Sequence, residues 1–127
     1  MPTRGGAFCC AGGFEARQGP VDQTDVETRD DVLVYTSASM TQPLEVTGPV
    51  RLVLWAASSA RDTDFTAALS DVHPDGTARA LTDGIVRARY RASRTTPTLM
   101  TPEHAYEFTI EVGGVEYIVD DRDGQRY

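Results

Sequence analysis

The residues of this 127-residue chain that could perform hydrolysis are its serines and its two histidines. An α/β-type serine hydrolase needs a nucleophile elbow, G-x-S-x-G, whose tight turn exposes the serine, and no serine here lies in such a sequence. His73 precedes Pro74 in a predicted turn and His104 lies in a polar loop, so we interpret both as loop histidines. The chain also lacks H-E-x-x-H, a phosphate-binding G-x-x-x-x-G-K and a dinucleotide fingerprint. We therefore predict no catalytic residue and no cofactor.

Carboxylates are abundant, but their spacing does not predict a metal site. Residues 120–125 resemble part of an EF-hand loop, yet Val119 occupies the first ligand position and no bidentate glutamate follows. Asp62 and Asp64 could contribute to a cation site, but two carboxylates are too few, which favours a structural role in a loop.

Charge and cysteine content restrict the partners and the compartment. The net charge of −7 argues against nucleic acid, because phosphates must be neutralised by clustered cations. No apolar run approaches the roughly 18 residues of a membrane helix, and the start of the chain has no continuous apolar stretch typical of a secretory signal. Cys9 and Cys10 are adjacent and therefore poorly placed for a mutual disulfide. We expect reduced thiols and a cytoplasmic location.

The elements that would position any site are strands. Residues 1–30 show no sustained period and are predicted as an extended or looped lead-in, and no stretch shows a helical period over ten residues. Runs of β-branched and aromatic residues predict strands, and glycine-containing dipeptides predict the turns between them. The strands are expected at 31–37, 44–57 with an interruption at Gly48-Pro49, 65–72, 78–81, 85–92 and 105–112. Turns are expected at 74–76, 82–84 and 113–114, and residues 93–104 are expected as a loop, with or without a short edge strand. Short strands at this spacing predict a single all-β domain, either a sandwich or a barrel.

Two surface features are candidates for contact with another domain. The run 50–57 is apolar on both faces and must be covered on both sides, so Trp55 is expected in the core or in an interface. In the run 85–92, strict alternation predicts that Arg87, Arg89 and Arg91 share one strand face. This row is either a solvated face that protects a sheet edge by charge, or a row of donors for an acidic partner surface.

Several strings occur together in a fixed order. They are PTRGG near the start, GPVDQ at 19–23, ETR and DVLVYTS at 27–37, PLEVTGPV, SSARDTDFTAAL, DVHPDG and DGIVRARYR. In this order and spacing they resemble the C-terminal domain of the cocaine esterase and X-Pro dipeptidyl-peptidase family of α/β-hydrolases, over residues 1 to about 112.

The resemblance implies a jelly-roll, galactose-binding-like β-sandwich that packs on an α/β-hydrolase catalytic domain, which carries the triad. It implies no catalytic residue in this chain, and an esterase, amidase or dipeptidyl-peptidase activity only for the parent protein. Residues 31–112 are expected to follow the family's sandwich, whereas 113–127 diverge as a hairpin strand and tail. The family's last strands are therefore expected to be missing, which predicts self-association through an open sheet edge.

A free-standing carbohydrate- or peptide-binding module is the alternative. Such modules offer exposed aromatic rings on which sugars stack, and Trp55 is the only tryptophan of the chain. We take Trp55, Arg87, Arg89 and Arg91 as the candidate interface residues.

Overall fold

The computed structural model describes residues 21–119, and within them the fold is an all-β sandwich, as predicted. Its elements are a one-turn helix α1 (Thr24–Glu27), strands β1 (Leu44–Ala56), β2 (Asp64–Val72) and β3 (Ala78–Arg87), a 3-10 turn (Ala88–Tyr90) and strand β4 (Tyr106–Val119). Two antiparallel two-stranded sheets, β1–β4 and β2–β3, are formed. A jelly roll has eight strands, so that topology stays a prediction beyond the four strands described.

The β1–β4 sheet is formed by two of the predicted strands. Its inward residues alternate along both strands, so that Leu52 lies opposite Ile110 and Leu54 opposite Phe108. Phe108 and Ile110 are fully buried, whereas Leu52 is partly exposed at the rim. The alternation of 106–112 therefore identified the buried face correctly.

The predicted hairpin at Gly113-Gly114 is wrong. Strand β4 runs straight through both glycines and pairs with β1, which places Glu111 opposite Arg51. The register shifts beside Pro49, where two β4 residues, Val112 and Gly113, face the single Val50. Gly113 has φ of +82°, so the glycine supplies the left-handed residue of a β-bulge and no turn is needed.

The β2–β3 sheet confirms β2 and the turn that follows it. The His73 carbonyl accepts a hydrogen bond from the Gly76 amide, and Gly76 has φ of +86°, as a tight turn requires. The predicted turn at 82–84 is wrong, because β3 continues through it with one register irregularity. Gly84 instead lies where β3 crosses β4, and a Cβ there would come within 2.9 Å of the Val112 Cα.

The predicted strand at 85–92 ends early. After Arg87 the chain turns into a 3-10 helix, and Ala88 becomes fully buried. The arginines after Arg87 consequently do not continue a row on one strand face. Alternation alone predicts the longer strand. The 3-10 turn instead accompanies the burial of Ala88 and the contacts that the arginines make.

The segment 31–37 does not form a strand in the structure, contrary to its composition. It lies outside every ladder, and Leu33 and Tyr35 are about four-fifths exposed, at 78% and 81%. A strand needs a hydrogen-bonded neighbour and a covered face, and neither is present among the described residues. Residues 21–27, the part of the predicted lead-in where the structure shows pairing and a helix, are more ordered than expected. Within 21–23, two backbone hydrogen bonds join Gln23 to Ala78 and Val21 to Ala80, and α1 follows.

The core lies between the two sheets. Phe65 of β2 and Phe108 of β4 bring their ring centroids to 4.5 Å, and Ala88 and Met100 complete a buried cluster with Phe108. Met100 comes from the loop 93–104, which is a loop as predicted. The loop therefore closes one end of the sandwich.

Candidate functional site: the outer face of the β1–β4 sheet

Trp55 is a surface residue. It lies on the side of β1 that points away from the core, with 66% of its surface exposed, and Val53 on the same side is 54% exposed. Core burial of Trp55, one of the two expectations from the sequence, is therefore wrong for the described residues. Because successive strand residues alternate, Val53 and Trp55 lie side by side, about 7 Å apart along the strand.

The neighbouring strand adds polar groups to this face. Glu107 lies opposite Trp55 and Thr109 lies opposite Val53, and both are exposed. One step further, Glu111 lies opposite Arg51, and its Oε2 accepts a hydrogen bond of 3.1 Å from Arg94. The face is therefore apolar on β1 and acidic beside the indole, with its positive charges at the far end. We define this outer face by Arg51, Val53, Trp55, Glu107, Thr109 and Glu111.

Arg87 and Arg89 are engaged within the chain. Arg87 donates two hydrogen bonds to Asp64, at 2.8 and 3.1 Å, in a bidentate pair. The hydrogen bond from Arg87 lowers the pKa of Asp64 below its ordinary value. The Arg89 amide donates to Asp62 Oδ1 at 3.0 Å, and its Nε lies 3.4 Å from Asp62 Oδ2. These contacts agree with the structural role favoured for Asp62 and Asp64.

Arg91 holds the loop 93–104 against the sheet. Its guanidinium donates to the carbonyls of Ala88 and Thr98, at 3.0 and 2.5 Å, and lies 4.2 Å from the centroid of the Tyr106 ring. The Tyr106 hydroxyl accepts a hydrogen bond from the Thr101 amide, and hydrogen bonding with the side chain and the backbone of Thr101 lowers the pKa of Tyr106. A planar cation with several donors suits this position, because it can donate to both carbonyls and stack on the Tyr106 ring at the same time.

Each of the two histidines contacts a neighbouring side chain of the fold. His73 Nε2 lies 3.5 Å from an oxygen of the buried Asp71, on the same face of the chain two residues away. The His104 ring packs edge-on against Tyr106 with centroids 4.8 Å apart. Within residues 21–119, no group of three or more His, Cys, Asp or Glu side chains is arranged to hold a metal ion. Cys9, Cys10 and the acidic run at 120–125 lie outside the described residues.

Among the residues that the structure describes, no helix has the length and apolar character to cross a bilayer.

The chain belongs to the family described as the X-Pro dipeptidyl-peptidase C-terminal non-catalytic domain, whose model matches residues 13–119. The family forms the non-catalytic C-terminal part of larger hydrolases whose catalytic domain precedes it. The expected resemblance is thus confirmed, and the chain is similar to an accessory portion of such enzymes.

Individual relatives agree with this assignment. The cocaine esterase of Rhodococcus sp. is 48% identical over 112 residues, which are 88% of this chain and 19% of the esterase. A putative serine esterase of Mycobacterium bovis is 40% identical over 74 residues, which are 58% of this chain and 12% of that protein. The chain therefore spans a fifth or less of the length of these curated relatives.

Two solved structures share the fold. An aminopeptidase from a marine sediment archaeon superposes with a TM-score of 0.79 and 28% identity, over 84% of this chain and 19% of that one. An α-amino acid ester hydrolase superposes with a TM-score of 0.69 and 25% identity, over the same shares.

Sequence reasoning missed the polar half of the outer face. The hairpin prediction pairs the run before Gly113-Gly114 with the residues after it. It therefore does not place Glu107 and Thr109 beside β1. The signal was strand length, because β1 and β4 are the two longest strands of the described residues once 106–119 is taken as one strand. Pairing them with each other would have placed Glu107 beside Trp55.

Proposed function

We propose that this chain serves as a non-catalytic domain that packs on an α/β-hydrolase catalytic domain and contributes no residue to its chemistry. The observation that supports this most directly is the family match over residues 13–119, in a chain that covers about a fifth of its curated relatives. The parent activity would be ester or amide hydrolysis or removal of N-terminal dipeptides. The interface role of Trp55, Arg87, Arg89 and Arg91 stays a prediction, and the contacts of the three arginines within the chain favour Trp55.

Two measurements test this function. The purified chain should turn over neither p-nitrophenyl esters nor Xaa-Pro amides above a buffer control. Turnover that is abolished when a serine-directed phosphonate labels this chain would contradict the non-catalytic role. In the second measurement, the chain replaces the matched segment of the Rhodococcus esterase. We expect this chimera to inactivate on heating more slowly than the esterase with that segment deleted.

The exposure of Trp55 favours one alternative, a module that binds carbohydrate or peptide. An exposed indole beside a carboxylate and a hydroxyl offers a stacking surface and hydrogen-bonding groups, which are features of sugar sites. Titration with oligosaccharides, followed by fluorescence of the single tryptophan, distinguishes the two functions. A saturable change that Trp55→Ala abolishes would favour the binding module.

We further propose self-association of the isolated chain. Among the described residues, β1 and β4 pair only with each other, so each has an unpaired edge on which another strand could add. The net charge of −7 opposes association, and salt screens it over about 8 Å at physiological strength. Sedimentation velocity should show association that increases with salt, whereas a compact monomer at low and moderate salt would contradict it.

A cytoplasmic location belongs to the same proposal. It is supported by the adjacent cysteines, which suit a reducing compartment. Thiol titration of the freshly isolated, unreduced protein should find both thiols free.

A further inference from the structure

We propose that the outer face of the β1–β4 sheet, with Trp55 at its centre, is the surface that docks on the hydrolase catalytic domain. This inference rests on the proposed function and adds to it the face, the anchor residue and the chemistry of the partner surface. The complementary surface is an apolar pocket for the Trp55 ring, bordered by a cationic side chain that faces Glu107.

Within the strands of the described region, the choice of this face follows from how the exposed apolar residues are arranged. Val53 and Trp55 are adjacent on one strand face at 54% and 66% exposure, and β4 flanks them with Thr109 and Glu107. Ile85 is as exposed, at 63%, but it lies on the other sheet opposite Thr66, beyond which Asp64 and Arg87 pair. An aromatic anchor with an apolar neighbour and a polar rim is the composition typical of a binding hot spot.

The contacts of the three arginines also support the choice of this face. Arg87, Arg89 and Arg91 have their guanidinium groups at Asp64, Asp62 and backbone carbonyls, so a row of donors for an acidic partner is not presented. On the outer face, the charged group nearest the indole is the exposed carboxylate of Glu107. A partner that covers Trp55 must therefore place a cation, or solvent, against that carboxylate, because burying an unpaired charge is costly.

A protein domain is the occupant that the comparisons support. Four-fifths or more of each matched hydrolase lies outside the segment that this chain resembles, and the matched family is the non-catalytic part of those enzymes. A catalytic domain therefore accompanies the related segments and is large enough to cover a two-stranded face.

The test measures binding of this chain to the Rhodococcus esterase from which the matched segment has been deleted. Trp55 is replaced biosynthetically by 5-fluorotryptophan, which gives a single fluorine resonance because the chain has one tryptophan. The unlabelled esterase fragment is titrated in, and its binding to its own excised segment is the positive control. If the fragment precipitates, the heat-inactivation rate of the chimera described above gives the same comparison between variants.

The fluorine resonance should shift or broaden on binding. Trp55→Ala should weaken binding at least about thirtyfold, the effect of losing a hot-spot residue. Glu107→Lys should weaken binding more than Glu107→Gln, and raised salt should narrow that difference. Ile85→Ser, the matched control on the other sheet, should change affinity less than about threefold. Far-UV circular dichroism of each variant verifies that it is folded.

The outcomes separate this inference from the proposed function. Binding of the wild-type chain with an unmoved resonance and no effect of Trp55→Ala would overturn the docking face and leave the accessory-domain function intact. A large loss with Ile85→Ser but not Trp55→Ala would place the interface on the β2–β3 sheet and equally overturn it. If the fragment binds its own segment but not this chain, the proposed function fails, and the docking face fails with it.

Discussion

Replacement of Gly84 by alanine tests how the two sheets pack. Gly84 of β3 crosses β4 so closely that an added Cβ would lie 2.9 Å from both the Glu111 carbonyl carbon and the Val112 Cα, and closer still to the Glu111 oxygen. All three are backbone atoms of a paired strand, so no side chain can swing aside. Ordinary contact requires about 3.4 Å or more, and the sheets would have to separate. The Thr82 hydroxyl, which donates to the Val112 carbonyl at the same crossing, would lose its geometry.

The expected cost is about 3 kcal/mol, at the upper end for an overpacked site. Separation by 0.5–1 Å forfeits roughly a quarter to a half of the dispersion energy of contacts across the gap, which include Phe65 against Phe108. Against this, alanine restricts the unfolded chain and recovers about 0.4–1 kcal/mol. The net destabilisation should be about 2–3 kcal/mol.

Gly114→Ala is the matched control for this prediction. It lies in β4, its φ is not in the left-handed region, and an added Cβ would be in ordinary contact, 3.7 Å from the Gly48 oxygen. Urea unfolding followed by far-UV circular dichroism measures both variants, since the exposed Trp55 is a poor reporter of unfolding. Because domain stabilities are small, loss of the cooperative transition in Gly84→Ala alone also fits the prediction. Free energies of unfolding that differ by less than about 0.5 kcal/mol between the two variants would refute the close approach of β3 to β4 at Gly84.

Two further predictions concern the arginines. Asp64→Asn should lower the free energy of unfolding by under about 1 kcal/mol at pH 7, since the pair with Arg87 is partly exposed. Arg87 lowers the pKa of folded Asp64 below its ordinary 3.8, so this contribution is complete above that value and is lost as the pH falls through the folded pKa. Wild type and variant should therefore converge in acid urea titrations, and a constant difference would assign the effect to packing. Arg91→Lys should cost about 1–2 kcal/mol, because lysine cannot both serve the Ala88 and Thr98 carbonyls and stack on Tyr106. Arg94→Lys, at an 87% exposed side chain, should cost almost nothing, and equal losses in the two lysine variants would refute the role of Arg91.

Strands were predictable where two conditions held together. The runs containing Leu54, Phe65 and Phe108 have a strand-like composition, and each meets an apolar neighbour across the sheet or across the core. The segment with Leu33 and Tyr35 has equal β propensity but no neighbour among the described residues, and it forms no strand. Propensity describes how well a residue suits a pleated, half-buried surface, and it does not supply the surface.

Glycines were the main source of error. Gly113 and Gly84 both lie in sequences that predict turns, because several turn types demand positive φ. Gly113 does have positive φ, but in a bulge of a continuous strand, whereas Gly84 is required for space. Sequence alone cannot separate these needs, because a missing Cβ relieves a φ restriction and a close contact equally. The correct choice depends on which strand lies opposite.

Only part of the candidate interface could be predicted from the sequence, for a related reason. Trp55 was identified from its type and its two-sided apolar strand, and the structure places it on an exposed face. The arginine row was identified from alternation, but Asp62 and Asp64 lie 23 or more positions before the arginines they contact, so the pairs depend on the β2–β3 register. Long-range pairing determines which charged residues remain available to a partner.

Docking of the outer face on a catalytic domain, as proposed, would couple docking to folding. Each sheet of the described region has only two strands, an arrangement of marginal stability alone, and the sheets are held together by Phe108, the Gly84 crossing and the loop that Arg91 secures. A partner that binds only the folded sandwich adds RT ln(1 + [L]/Kd) to its stability. In one chain, a short linker gives an effective concentration of the order of 1 mM. For a docking Kd of about 1 μM, the ratio is about a thousand and the gain is about 4 kcal/mol. By linkage the catalytic domain gains the same amount.

A change on the outer face such as Trp55→Ala should therefore shorten the life of the parent hydrolase at high temperature without altering its chemistry.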